Sequence, residues 1–166
     1  MNGVTQEELE GMKNIEKYQA TGYGYFAIQS TKPQTIGYGL NDSPVGLAAW
    51  IIEKFHGWTK DNADKLVVSL DEVLAIVSLY WHTESITSSA RFYYENGPLG
   101  FTFNKVSQPM AGAIFENEIA RPPRVWAEKI YNIVQWNQYP GGHFAALESP
   151  KILAEDIFSF VAKLEI

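Results

Sequence analysis

Gly141-Gly142-His143-Phe144-Ala145-Ala146-Leu147-Glu148, followed by Ser149-Pro150, is the stretch from which the fold can be read. Two consecutive glycines allow a sharp turn and a close backbone approach, and they put His143 at the head of that turn. Upstream, Ile133-Val134-Gln135-Trp136 combines β-branched and aromatic residues and reads as a short buried strand. Downstream, Ser149 is expected to cap a helix that starts at Pro150, where a missing N–H costs nothing. His143 then leaves the end of a strand, where open α/β sheets hold their chemistry. A loop histidine without a role is the plain alternative.

Working outward, Phe101-Thr102-Phe103 and Met110 to Phe115 read as strands, and Pro122 to Lys129 starts a helix. Ile152, Leu153, Ile157, Phe160, Val161 and Leu164 give the last helix an apolar stripe expected to be buried. Strand, helix, strand, helix implies a piece of parallel sheet, hence an α/β fold. The chain before this is helical throughout. Thr5-Gln6-Glu7-Glu8 and Ser69-Leu70-Asp71-Glu72 both fit capping boxes. Gly22 and Gly24 interrupt the first helix. Ser30 to Thr35 suits a cap and a proline-led start, and Ser43-Pro44 repeats the device before an apolar helix ending near Gly57. Val73, Leu74, Ile76, Val77 and Tyr80 mark the apolar side of the helix after Ser69. Thr59 to Lys65 reads as a surface loop, and Thr87 to Glu95 as a short helix stopped at Asn96-Gly97-Pro98. Residues 1–98 and 99–166 are the two regions expected.

The 166 residues suffice for one ordinary domain, and a 46% hydrophobic, 14% aromatic composition is that of a packed protein. A net charge of −6 argues against a nucleic acid partner, and no basic block is present to seek an anionic membrane. The absence of cysteine excludes disulfides, thiolate metal sites and a thiol nucleophile. Three scattered histidines argue against a metal site. Met1 to Val4 runs straight into polar residues and no apolar run is long enough to span a bilayer, so a soluble cytoplasmic protein without a membrane anchor is expected.

Gly-Gly-His-Phe-Ala-Ala, an acidic residue, a proline, and a helix written Leu153-Ala154-Glu155-Asp156-Ile157 together resemble the end of an epoxide hydrolase. The likeness is to the α/β-hydrolase epoxide hydrolases of the microsomal type and their fungal and bacterial relatives, and runs from about Gly24 to Ile166. It covers the C-terminal half of such an enzyme. It implies that residues 1–98 are the helical lid and that 99–166 hold the last strands and helices of the parallel core sheet.

The same resemblance implies roles. His143 matches the general base, which needs a carboxylate to orient it. The acid follows the preceding strand in a pattern of Phe, Pro, a variable residue and Glu, so Phe115-Glu116-Asn117-Glu118 gives Glu118, with Glu116 the weaker candidate because Glu116-Asn117 departs from the pattern. Two solvated loop carboxylates are the bland account. Two lid tyrosines donate hydrogen bonds to the epoxide oxygen, as neutral phenols can. One matches Tyr25, seven residues before Lys32-Pro33, and the other matches Tyr93; Tyr23 and Tyr94 are near misses, and among nine tyrosines most are packing. No metal or organic cofactor is implied. The implied substrate is a small hydrophobic epoxide, with Trp50, Phe55 and Tyr80 as candidate apolar lining.

Other signals are weak. His56-Gly57-Trp58-Thr59 fits a helix end better than an oxyanion loop. Gly37-Tyr38-Gly39 is no dinucleotide fingerprint. His82 suits packing or solvent. The family's nucleophile is an aspartate on a strand-to-helix elbow before the lid, and neither that elbow nor the oxyanion loop occurs in these residues. Two alternatives stay open: a non-catalytic fragment or half-protein, its partner a missing N-terminal half or a second copy, and another α/β-hydrolase, such as a dehalogenase or esterase. The tyrosine pair argues against the latter. Two parallel strands pairing only with each other are expected to leave apolar surface uncovered.

Overall fold

The computed structural model describes residues 3–59, 66–96 and 104–164. They form two compact units: one from the described residues of Met1–Tyr18, Trp58–Asn62 and Phe103–Ile166, the other from those of Gln19–Gly57 and Ala63–Thr102. The expected strand at Phe101–Phe103, the loop beyond Thr59 and the boundary between residues 98 and 99 lie outside the described residues.

The first unit is built on two strands, β1 (Val106–Asn117) and β2 (Tyr131–Gly142), hydrogen-bonded in parallel. Both are longer than the apolar cores at Met110–Phe115 and Ile133–Trp136 suggest. Pro109, which has no N–H to give the ladder, lies at a register shift. Gly112 pairs with Trp136, and a Cβ on it would come within 2.4 Å of the indole. The crossover between the strands carries α7 (Arg124–Ala127), a single turn and not the longer helix expected from Pro122–Lys129.

Helices lie on both sides of this pair. α1 (Gln6–Thr21) opens with the Thr5 capping box: Glu8 donates its N–H to Thr5 Oγ1 at 3.2 Å, and Thr5 donates its N–H to Glu8 Oε2 at 2.8 Å. Glu8 Oε1 also accepts the Arg124 N–H at 2.8 Å, which pins α1 to the crossover. Glu7, Glu8 and Gly11 of α1 share a narrow cleft with Ile114, Trp136 and Gln138. The opposite side chains of β2 meet α9 (Pro150–Lys163).

Two sequence expectations change here. Ser149 is the residue before α9, but its side chain caps nothing; its hydroxyl donates to the Pro140 carbonyl at 3.4 Å. The apolar stripe of α9 is only partly covered: Ile152, Leu153, Phe160 and Leu164 are half-buried, and the one residue the helix fully buries is polar. Asp156 is 3% exposed, whereas Ile157 and Val161 are exposed at 50% and 44%. The polar residues of β2 supply the reason, because they draw Asp156 inward with hydrogen bonds.

The second unit is helical: α2 (Gly24–Thr31), α3 (Pro33–Asp42), α4 (Pro44–Trp58, whose last residue belongs to the first unit), α5 (Leu70–His82) and α6 (Ile86–Asn96). Proline heads α3 and α4 as expected. Ser43 Oγ accepts the Gly46 N–H at 3.1 Å, and Ser69 makes a full capping box with Glu72. Ser30 and Thr31 bond back to the Ala27 carbonyl inside α2 instead of capping α3. Leu40, Leu47, Val77 and Ile86 form the core, and Trp50 and Tyr80 pack against it. Leu74, expected on the buried side of α5, is 41% exposed. At Gly37 a Cβ would lie 2.3 Å from the Thr87 hydroxyl, so this glycine lets α3 and α6 approach closely.

Candidate active site

Parallel register decides what meets at the ends of β1 and β2. Phe115 pairs with Tyr139 and Asn117 with Gly142, so the next residue on each strand, Glu118 and His143, emerges at the same edge. The two side chains meet: His143 Nδ1 lies 2.6 Å from Glu118 Oε1. Both are partly open to solvent, at 37% and 30% of their side-chain areas. The same Glu118 oxygen accepts the Ile119 N–H at 2.6 Å, and the Glu118 N–H donates to the Phe115 carbonyl at 3.1 Å, which fixes the carboxylate on its short turn. Glu116 is exposed within β1, so the carboxylate held against the imidazole belongs to Glu118.

Gly141 has φ +138°, a backbone state that suits glycine, and a Cβ there would press on Phe115 Cδ1 at 2.9 Å. After the turn comes α8 (Ala145–Glu148), whose Glu148 accepts the Phe144 N–H at 3.1 Å. A contact not expected from the sequence completes the setting. The His143 N–H donates to the Trp58 carbonyl at 2.9 Å, and the indole meets the imidazole edge-on at 5.1 Å between centroids. The indole also stacks on Phe144 at 6.2 Å. Trp58 ends α4, as the helix-end reading had it, but no local pattern announces a partner so far along the chain.

This arrangement can move a proton. Nδ1 is held by a carboxylate, which favours the tautomer with the other ring nitrogen as a base and stabilises the imidazolium once formed.

The tyrosines lie in the helical unit. Tyr25 on α2 and Tyr93 on α6 are half-buried and meet edge-to-face, with centroids 5.9 Å apart at 81°. Phe26 packs edge-on against Tyr93 at 5.5 Å, and Lys54 Nζ sits 4.6 Å above the Tyr25 ring. Tyr23 and Tyr94 are exposed at 40% and 52%, so the near misses differ from the favoured pair in setting. Of the apolar residues expected to line a substrate space, Phe55 is buried and Trp50 and Tyr80 serve the core. Among the described residues no helix is long and apolar enough to cross a membrane.

No family model matches the chain. Epoxide hydrolase 1 of Sus scrofa is 43% identical over 180 residues, a match covering 98% of this chain and 40% of that protein. Juvenile hormone epoxide hydrolase 1 of Ctenocephalides felis is 44% identical over 156 residues, covering 86% and 34%. The solved structure of Aspergillus niger epoxide hydrolase matches with a TM-score of 0.87 at 34% identity, over 98% of this chain and 41% of that one. The chain therefore spans two fifths or less of the length of these curated relatives. Over that span it matches, in sequence and in fold, the C-terminal part of the α/β-hydrolase epoxide hydrolases.

Proposed function

We propose that the chain supplies the lid and the acid–base machinery of an epoxide hydrolase acting on a small hydrophobic epoxide. The observation that carries this is the imidazole–carboxylate pair at the ends of two parallel strands, His143 Nδ1 to Glu118 Oε1 at 2.6 Å. The helical unit is the lid, and Tyr25 and Tyr93 are its hydrogen-bond donors, supported by their shared, half-buried setting beside Phe26.

An aspartate outside these residues attacks an epoxide carbon, the ring C–O bond breaks, and a protein–substrate ester forms. The two phenols stabilise the alkoxide as charge develops on it, and one of them gives it a proton, so that the hydroxyl stays on the ester-bound substrate and a phenolate remains. His143, oriented by Glu118, takes a proton from water through Nε2. The hydroxide so formed adds to the ester carbonyl. The tetrahedral intermediate collapses, the C–O bond to the substrate breaks, the departing oxygen takes the added hydroxyl's proton to complete the diol and the carboxylate is regenerated, while the imidazolium returns its proton to the phenolate. No metal or organic cofactor enters these steps. Cytoplasmic residence belongs to the same proposal.

A chimera tests it, with this chain replacing the matching C-terminal part of the Sus scrofa relative. Diol formation from an aryl epoxide is expected. His143→Ala should leave the ester accumulating on the protein and lower turnover by about 10²–10⁴-fold, the scale of a lost general base. A folded chimera that makes neither ester nor diol sinks the reading. Diol formed by the 166-residue chain alone would reveal a nucleophile inside it.

A further inference from the structure

Asp156 has no part in the steps above, yet it is the one charged side chain buried among the described residues. Burying a carboxylate costs several kcal/mol unless hydrogen bonds answer it, and β2 supplies them. Gln135, Asn137 and Tyr139 stand two residues apart on one face of the strand. The Tyr139 hydroxyl and the Asn137 amide both donate to Asp156 Oδ1 at 2.6 Å, and the Gln135 amide donates to the Asp156 carbonyl at 2.9 Å. Lys163 Nζ in turn donates to Gln135 Oε1 at 2.5 Å.

Tyr139 carries this order toward the strand ends. Its ring lies 5.8 Å from that of Phe115, its register partner on β1. Phe115 is 5% exposed and fills the space beside Gly141, two residues before His143. Its carbonyl accepts the Glu118 N–H. One ring thus touches both strand exits.

We propose that Asp156 and Tyr139 are positioning residues for the His143–Glu118 pair: the buried carboxylate fixes the phenol, the phenol fixes Phe115, and Phe115 sets the spacing of the two strand ends. This deepens the functional reading and rests on it.

The test is nuclear magnetic resonance of the 166-residue chain labelled with ¹⁵N-histidine. A strongly downfield Nδ1–H proton is expected for His143, identified by its loss in His143→Gln. It should also be lost in Glu118→Gln. Tyr139→Phe keeps the ring but cuts its link to Asp156, and should move the resonance upfield and speed its solvent exchange about tenfold, the weight of one charge-assisted hydrogen bond. Asp156→Asn should act in the same direction, and Tyr139→Phe added to Glu118→Gln should do nothing more.

An unchanged resonance in both variants, whatever their melting temperatures, overturns the proposal and leaves the pair intact. Loss of far-ultraviolet helix signal in both also overturns it, since the network is then a stability element. A resonance that survives Glu118→Gln removes the pairing itself, and the proposal with it.

Discussion

At the scale of single residues, Asp156 and Tyr139 couple the fold to pH. Burial pushes the Asp156 carboxyl up, but the hydrogen bonds from Tyr139, Asn137 and Gln135, with the Lys163 charge, outweigh it and leave the group below its ordinary value of 3.8. For Tyr139 the hydrogen bond to Asp156 is the leading cause, followed by burial and the Asp156 charge, and the phenol rises above its ordinary 10.0. The signs differ. Asp156 has a depressed value when folded, so its contribution is complete above 3.8 and is lost as pH falls through the folded value. Tyr139 has a raised value, so its contribution is complete below 10.0 and is lost as pH rises through the folded one. Thermal unfolding followed from acid to alkaline pH should therefore show stability falling at both ends. In Asp156→Asn both limbs should flatten, because the anion that favours the neutral phenol is gone. A Tyr139→Phe protein that keeps the full alkaline limb would show that other groups produce it.

At the scale of elements, the end of α5 shows where local chemistry settles structure and where it carries strain. Thr83 closes the helix, Glu84 turns left-handed at φ +51°, and the chain leaves at Ser85. The Glu84 N–H donates to the Trp81 carbonyl at 3.2 Å and the Ser85 N–H to the Tyr80 carbonyl at 3.1 Å, the two bonds of a Schellman motif. That motif prefers glycine, and a side chain at this φ costs about 1 kcal/mol. Glu84→Gly should therefore raise stability by about 1 kcal/mol in urea unfolding, whereas Glu84→Val should lower it. A Gly variant less stable than the parent would mean that the Glu84 side chain holds something more valuable than the strain it carries. The capping boxes at Thr5 and Ser69 and the prolines heading α3, α4 and α9 were legible because each signal spans only a few residues. The turn at Gly141–His143 was legible for the same reason, and the parallel strand pair followed from the alternation of strand and helix along the chain. The full length of β1 was not, because Ser107 and Gln108 are polar and Pro109 lacks an N–H, and the start of the strand joins the ladder only through a register shift between Val106 and Pro109. The burial of Asp156 was hidden because its partners sit on another element. Of the site, the carboxylate facing His143 could be narrowed to two glutamates by chain order and resemblance, but Trp58 could not be foreseen, since its contact is set by tertiary packing alone.

At the scale of the molecule, the unit that holds His143 leaves apolar surface uncovered. Parallel sheets are ordinarily enclosed on both faces within a larger array of strands, and among the described residues this one has two strands, β1 and β2. Val134 on β2 is 43% exposed, and Phe158 on α9 is 73% exposed. Ile157, Phe158 and Val161 share the side of α9 turned away from Asp156, so the helix buries one carboxylate while leaving these three apolar side chains exposed. A helix in water with that orientation is at odds with ordinary amphipathic packing. It makes sense if further core packs there, as the span of two fifths of a relative suggests. The 166-residue chain should therefore bind a dye that brightens on apolar surface well above the level of an ordinary globular domain. Phe158→Asp should lower that signal while leaving the far-ultraviolet spectrum in place, because the side chain it replaces packs on little. In the chimera with the Sus scrofa relative the dye should bind weakly, and Phe158→Asp should then destabilise by the amount typical of a charge placed in a core. Weak dye binding by the isolated chain, unchanged by Phe158→Asp, would mean that this face is already covered, by a second copy or by a rearranged α9, and sedimentation would separate those two.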